Sequence, residues 1–184
     1  NSLEGLPTFY SATDLHVDGA FLNDQGIATT AVTTDIDGEV RPAAGAASVD
    51  IGADGFTPPL NDAGVSDLDS PTLPITGGFA SVEIVVRNYG IAPLSSFMVD
   101  WTIDGMPQPQ VPYTGTTIPV GGTANMILAN LNFPANTTSL EFWTSMPNGS
   151  IDERPSNDTL TLGICPGLSG TYSVGHASSD YPTV

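Results

Sequence analysis

The residues whose types and spacing could do chemistry in this chain are carboxylates. Asp35, Asp37 and Glu39 stand at alternate positions around Gly38. Spaced carboxylates on a glycine-containing turn could supply hard oxygen ligands to Ca²⁺, although the run lacks the full EF-hand pattern. A second set, Asp62, Asp67 and Asp69, falls where a linker meets the first strand of the following domain, and calcium there would stiffen two modules against one another. A third set, Asp152, Glu153 and Asp158 around Arg154, reads as an exposed loop with a local ion pair worth about 0–1 kcal/mol. Beside each calcium reading stands a plainer one: solvated turns whose Asp carboxylates accept backbone N–H bonds, and surface acidity.

Other chemistry is sparsely supplied. The histidines are His16 and His176, and no GxSxG, HExxH or glycine-rich phosphate loop occurs. No catalytic residue is assigned, and no cofactor other than Ca²⁺. His16 reads as a strand residue with a satisfied ring. Three sequons, at Asn136, Asn148 and Asn157, mark exposed loops. Tyr89, Tyr113 and Tyr181 could contact sugars, though single surface aromatics are ordinary. Cys165 is the sole cysteine; it is either a buried reduced thiol or one half of a disulfide whose partner lies outside the chain.

Charge narrows the partners. Twenty acidic residues face three basic ones, Arg41, Arg87 and Arg154, for a formal charge of −17. Such a chain repels nucleic acid and anionic lipid and attracts divalent cations. No apolar run approaches the ~18 residues that span a bilayer, so no membrane insertion is expected. Low charge content with abundant Gly, Pro, Ser, Thr and Asn predicts an all-β extracellular protein. Neither a signal peptide at Asn1 nor a natural stop at Val184 is evident, so an interior piece of a longer chain is expected.

The elements that must position these residues follow from periodicity. Residues 1–57 carry short β-prone runs broken by Asx and Gly turns, such as Asn23-Asp24-Gln25-Gly26, with no helical period. From Asn61 the runs lengthen and alternate. Val82, Ile84 and Val86 share one face while Glu83 and Arg87 take the other. Phe97, Val99, Trp101 and Ile103 repeat the pattern, as do Leu140, Phe142 and Thr144, then Leu160, Leu162 and Ile164. About seven short strands at near-regular spacing predict a two-sheet sandwich of immunoglobulin type over residues 58–165, with Trp101 in its core on a central strand.

Two stretches resemble known families. Thr34-Asp35-Ile36-Asp37-Gly38-Glu39-Val40-Arg41-Pro42, followed by Val49-Asp50-Ile51-Gly52-Ala53-Asp54-Gly55-Phe56, resembles the closing segment of the right-handed parallel β-helix of secreted, surface-anchored proteins from Bacteroidetes-type bacteria. Val49 and Gly55 stand where that family has Pro and Glu. The sandwich region resembles the CARDB-like adhesion module that recurs beside those helices. Its likeness rests on Asn61-Asp62-Ala63-Gly64-Val65, Val86-Arg87-Asn88-Tyr89-Gly90, Val99-Asp100-Trp101-Thr102-Ile103-Asp104-Gly105, Trp143-Thr144-Ser145-Met146-Pro147-Asn148-Gly149 and Pro155-Ser156-Asn157-Asp158-Thr159. Residues 166–184, with Gly170-Thr171-Tyr172-Ser173-Val174-Gly175, look like the opening of another β-helix.

These resemblances imply a non-catalytic structural and adhesive segment of a large secreted or cell-surface protein: β-helix coils over 1–57, a CARDB-like sandwich over 58–165, and a β-helix or linker over 166–184. Implied partners are the flanking modules, the type IX secretion machinery, and surface polysaccharide or other cells. The resemblance also implies O-glycosylation at Thr159, within Asp158-Thr159-Leu160, and a disulfide from Cys165 to a cysteine beyond Val184. Two rivals stand beside this expectation: the terminal and accessory part of a β-helix polysaccharide-degrading enzyme, whose paired acids would lie upstream, and a subunit of a homopolymeric filament joined through sandwich edge strands.

Overall fold

The computed structural model describes His16 and residues 22–28, 32–43, 48–52, 54–75, 77–134 and 136–164. Among the described residues, regular strands begin where the sequence pattern changes, and eight run in chain order: β1 (Ala63–Ser70), β2 (Gly78–Asn88), β3 (Met98–Ile103), β4 (Met106–Pro107), β5 (Val111–Pro112), β6 (Thr123–Phe133), β7 (Ser139–Ser145) and β8 (Thr159–Gly163). A 3-10 turn, Pro147–Gly149, follows β7. The strands form two antiparallel sheets. One has the order β1-β2-β6, the other β4-β3-β7-β8 with β5 also paired to β3. The all-β class and the two-sheet arrangement expected from the sequence are what these residues adopt.

Period two decides which side chains fill the space between the sheets. Val82, Ile84 and Val86 of β2, Val99 of β3, and Leu140 and Phe142 of β7 are all at 0% exposure. One buried cluster joins them across both sheets with Val65, Ile118, Met126 and Phe133. Fully burying a side chain of this size stabilises by about 1.5–3 kcal/mol, so this shared cluster is what holds the sheets face to face. Trp101 lies at its centre on β3, its ring stacked on Phe142 at 6.0 Å and its Nε1–H donating to the Pro109 carbonyl at 3.1 Å. Tyr113 is half-buried, stacked on Phe97 at 4.6 Å, and so serves the core.

Two local features set the frame of the site. Asp104 (φ 49°) and Gly105 (φ 75°) close the β3–β4 hairpin in two residues, the left-handed pair a tight hairpin requires. The Asp104 carboxylate then accepts from Thr138 N and Oγ1 and from Ser139 N at 2.7–2.9 Å, tying the hairpin to the start of β7. The edge strand β1 slips register twice against β2, between Val65 and Asp67 and between Leu68 and Ser70. Such bulges bend an edge away from further pairing.

Within residues 1–57 the described backbone pairs at two isolated bridges, Gly26 with Val49 and Thr34 with Val40. Cys165, His176, Tyr181 and the segment 166–184 lie outside the described residues.

Candidate functional site

The most heavily fastened part of the molecule is the seam where the incoming chain passes into β1. Ile91 N–H donates to the Pro59 carbonyl at 2.9 Å and Ala92 N–H to that of Leu60 at 3.0 Å. The Asp62 carbonyl takes both Tyr89 N–H and Gly90 N–H, at 3.0 and 3.1 Å. From the opposite side the loop between β7 and β8 closes on the same segment. Glu153 accepts from the backbone N–H of Leu60 at 2.9 Å and of Asn61 at 3.3 Å, while its own N–H donates to the Asn61 carbonyl at 3.1 Å. Asp152 Oδ2 accepts from Ala63 N–H at 3.0 Å, and the Thr144 hydroxyl donates to the Ala63 carbonyl.

Packing here leaves no room for a Cβ at two glycines. One built on Gly90 would lie 2.6 Å from the Leu60 carbonyl oxygen, and one built on Gly64 would collide with the Asn157 carbonyl. Both obstacles are backbone. The closeness of these strands to the loop is therefore written into the two glycines.

Inside this seam three carboxylates meet. Asp62 is fully buried and Asp152 and Asp158 are each 8% exposed; one oxygen from each lies within 4.8 Å of the other two. Asp62 Oδ2 accepts from Asn157 Nδ2 at 3.2 Å, and Asp152 Oδ1 from Arg154 N–H at 2.7 Å. Asp62 Oδ1, Asp158 Oδ1 and Asn157 Oδ1 are buried and meet no hydrogen-bond donor. Burial, reinforced by the charges of Asp152, Asp158 and Glu153 against the opposing bond from Asn157, pushes the Asp62 carboxyl up to about 7. Burial and then the Asp152 charge push Asp158 up to about 7 as well. Chemically this is a compact, buried set of hard oxygen donors.

The sequence placed Asp62 with Asp67 and Asp69, and the fold separates them. Asp67 and Asp69 lie exposed on β1, Asp67 capping Leu68 N–H at 2.8 Å and Asp69 accepting from Asn125 Nδ2 at 3.2 Å. Conversely, the Asp152–Asp158 loop was expected to be exposed. Both of its aspartates are buried, because the loop folds beneath the incoming segment and supplies the acceptors its N–H groups need. Asp62 lies about 90 residues in sequence from the loop that carries the other two, with separations of 89 for the Ala63–Asp152 bond and 95 for Asn157–Asp62. The landmarks around Asp62 and Asp158 were legible as motifs, but nothing in either run says that they touch.

The Asp35–Glu39 turn has a different character. Asp35 Oδ1 accepts from Asp37 N–H at 3.1 Å and Glu39 N–H at 2.8 Å, and its Oδ2 from Gly55 N–H at 3.4 Å. Desolvation, the largest single influence, opposes ionisation there, but the bonds from Glu39, Gly55 and Asp37 and the charge of Arg41 together outweigh it and lower the Asp35 pKa. Asp37 Oδ2 lies 2.7 Å from His16 Nε2, so the His16 ring is satisfied as expected, by a carboxylate. The third acid, Glu39, is exposed. Arg41 donates to the backbone carbonyls of Gly52 at 2.7 Å and Asp50 at 2.9 Å. Asp50 in turn holds Asp24 N–H and Phe56 N–H, both at 2.7 Å. Asp35 and Asp50 thus act as backbone staples.

Two modification expectations also meet the structure. Thr159 is exposed at the first position of β8. Asn148 is half-buried, its amide donating to Asn61 Oδ1 at 2.8 Å and the Pro93 carbonyl at 3.2 Å, so that sequon does not mark a free loop.

No family model matches the chain, and no curated protein matches it. Among solved structures it is similar to the CARDB domain of the PF1109 protein from Pyrococcus furiosus, crystallised in complex with di-metal ions. That match has 15% identity and a TM-score of 0.44 over 60% of this chain and 92% of the other. It is also similar to residues 272–376 of a candidate cell surface protein from Methanosarcina acetivorans, with 19% identity and a TM-score of 0.43 over 60% and 97%.

Proposed function

We propose that this chain is a non-catalytic structural and adhesive segment of a large modular protein carried outside the cell. In this reading residues 58–165 form a sandwich spacer, 1–57 complete a β-helix before it, and 166–184 lead into the next module. The observation that carries the reading is the seam. The chain between the modules does not hang from the sandwich as a free linker; it is held by backbone bonds to the Tyr89–Ala92 turn on one side and by Glu153 and Asp152 on the other. Tension arriving through Thr57 must break that network before it can peel β1 from β2. This is what a spacer in an extended array needs. The motif likeness around Asp35–Phe56 supports export by the type IX machinery, with surface polysaccharide or a neighbouring cell as the adhesive target.

Stretching a single molecule held just outside Thr57 and Ile164 tests the spacer role. Cooperative unfolding in one step is expected, at a force that falls in Glu153→Ala. Gradual extension at low force would refute a spacer role. The filament alternative would need an edge other than β1, which carries two bulges and the exposed acids Asp67 and Asp69; β6, β8 and the β4–β5 side are the other edges.

A further inference from the structure

We propose that Asp62, Asp152 and Asp158 bind one divalent cation, Ca²⁺, at the seam between the incoming segment and the β7–β8 loop, with the amide oxygen of Asn157 as a further ligand. The inference stands on the geometry of the seam and does not depend on the adhesive reading.

Distance is the first ground. Ca²⁺ takes oxygen ligands at about 2.3–2.6 Å, so two carboxylate oxygens sharing one ion can be no more than about 5 Å apart. The mutual limit of 4.8 Å for all three groups meets that condition.

The second ground is independent of the clustering. Asp62 has no exposed surface, yet its Oδ1 meets no donor, and the same holds for Oδ1 of Asp158 and Oδ1 of Asn157. Buried polar atoms in folded proteins are nearly always partnered, and three unpartnered oxygens on three residues of one cluster point to a missing electrophile. The other carboxylate oxygens of Asp62 and Asp152 each accept one N–H and keep a second lone pair for an ion. Asp62 Oδ2 takes the Asn157 amide, and Asp152 takes Ala63 N–H and Arg154 N–H, which fixes these carboxylates in place before any ion arrives. The Asp35 turn lacks this signature, since none of its carboxylate oxygens is buried without a donor.

Ligand chemistry selects the ion. The donors are carboxylate and amide oxygens with no thiolate or imidazole, which suits Ca²⁺ or Mg²⁺ over zinc or copper. An irregular set drawn from the start of β1 and a surface loop fits the tolerant coordination of Ca²⁺ better than the strict octahedron of Mg²⁺. An ion here would join Asp62, just ahead of β1, to Asp152 and Asp158, just ahead of β8, and so lock the segment that Glu153 already holds.

The test is thermal unfolding of the full 184-residue chain after removal of metal, in CaCl₂ and in chelator at matched ionic strength and near-neutral pH. A rise of several degrees, saturating at millimolar calcium or below, is expected, with a smaller rise in MgCl₂. Asp62→Asn and Asp158→Asn should each abolish the rise without lowering the melting point of the metal-free chain, because each removes a buried charge and keeps the side-chain shape. Asp35→Asn should leave the rise intact. Absence of a saturable rise in the unsubstituted chain would overturn the site, as would a rise that survives both seam variants or disappears in Asp35→Asn. Should a seam variant fail to fold, calorimetric titration of the Asp35→Asn chain with CaCl₂ decides: binding of one ion per chain supports the site, and no binding overturns it.

Discussion

Two acidic clusters of this chain are built from the same residue types and differ as structure. Around Asp35 the carboxylate oxygens are met by the N–H groups of Asp37, Glu39 and Gly55, and the Asp35 pKa falls. Around Asp62 the carboxylates face each other, Oδ1 of two of them meets no donor, and both pKa values rise to about 7. The number of acids does not separate a staple from a site. What separates them is whether buried carboxylate oxygens are left without a donor.

The largest effect that sharpens this contrast comes from glycine. Gly64→Ala and Gly90→Ala each force a methyl group against backbone of the seam, and destabilisation of about 1–3 kcal/mol or more is expected in denaturant unfolding. The matching change beside the other cluster, Gly55→Ala, places its Cβ 3.7 Å from Asp35 Oδ2, an ordinary contact. It should fall within about 0.5 kcal/mol of the starting chain. Equal effects at the three positions would mean that the seam is no more tightly built than the turn.

Acidity gives the two clusters opposite signs. Asp62 and Asp158 have folded pKa values of about 7 against 3.8 when unfolded, so the folded chain holds more protons between those limits. Their contribution is therefore present below pH 3.8 and lost as pH rises to about 7. For Asp35, whose folded pKa is lowered, the contribution is present above 3.8 and lost as pH falls below it. In chelator, Asp62→Asn should flatten the decline toward neutral pH, and Asp35→Asn should flatten the decline in acid. Melting temperatures across pH 3 to 8 check this for each variant. A seam variant that altered only the acid limb would contradict the assignment.

How much of this was legible beforehand depends on the range of the interaction. The alternation of Val82, Ile84 and Val86 and the burial of Trp101 are local consequences of a two-residue period, and both appear in the fold as read. Strand β6 was not picked out. Glu83 pairs with Ile127 and Val82 with Ala129, so Leu128 is an extra residue that breaks the alternation of the run Met126–Ala129. The Asp35 turn was readable as an Asx staple because two of its three donors, the N–H groups of Asp37 and Glu39, lie within a few residues. Asp62 was assigned to the wrong neighbours for the converse reason: its partners are set by how a loop some 90 residues later folds back, and no local pattern encodes that.

The smallest effect separates the clamp from the charge it carries. Glu153 holds Leu60 N–H and Asn61 N–H from an exposed position, so Glu153→Ala loses two bonds to a charged acceptor but leaves both N–H groups within reach of water. A loss of about 1–2 kcal/mol is expected. Asp37→Asn, which weakens the exposed contact to His16, should cost less than about 0.5 kcal/mol. If calcium occupies the seam, the Glu153 clamp and the ion restrain the same few residues. The two should then couple, with Glu153→Ala costing less in saturating calcium than in chelator. Additive costs would place the ion and the clamp in separate units of the fold, and would break the view that the seam behaves as one fastening.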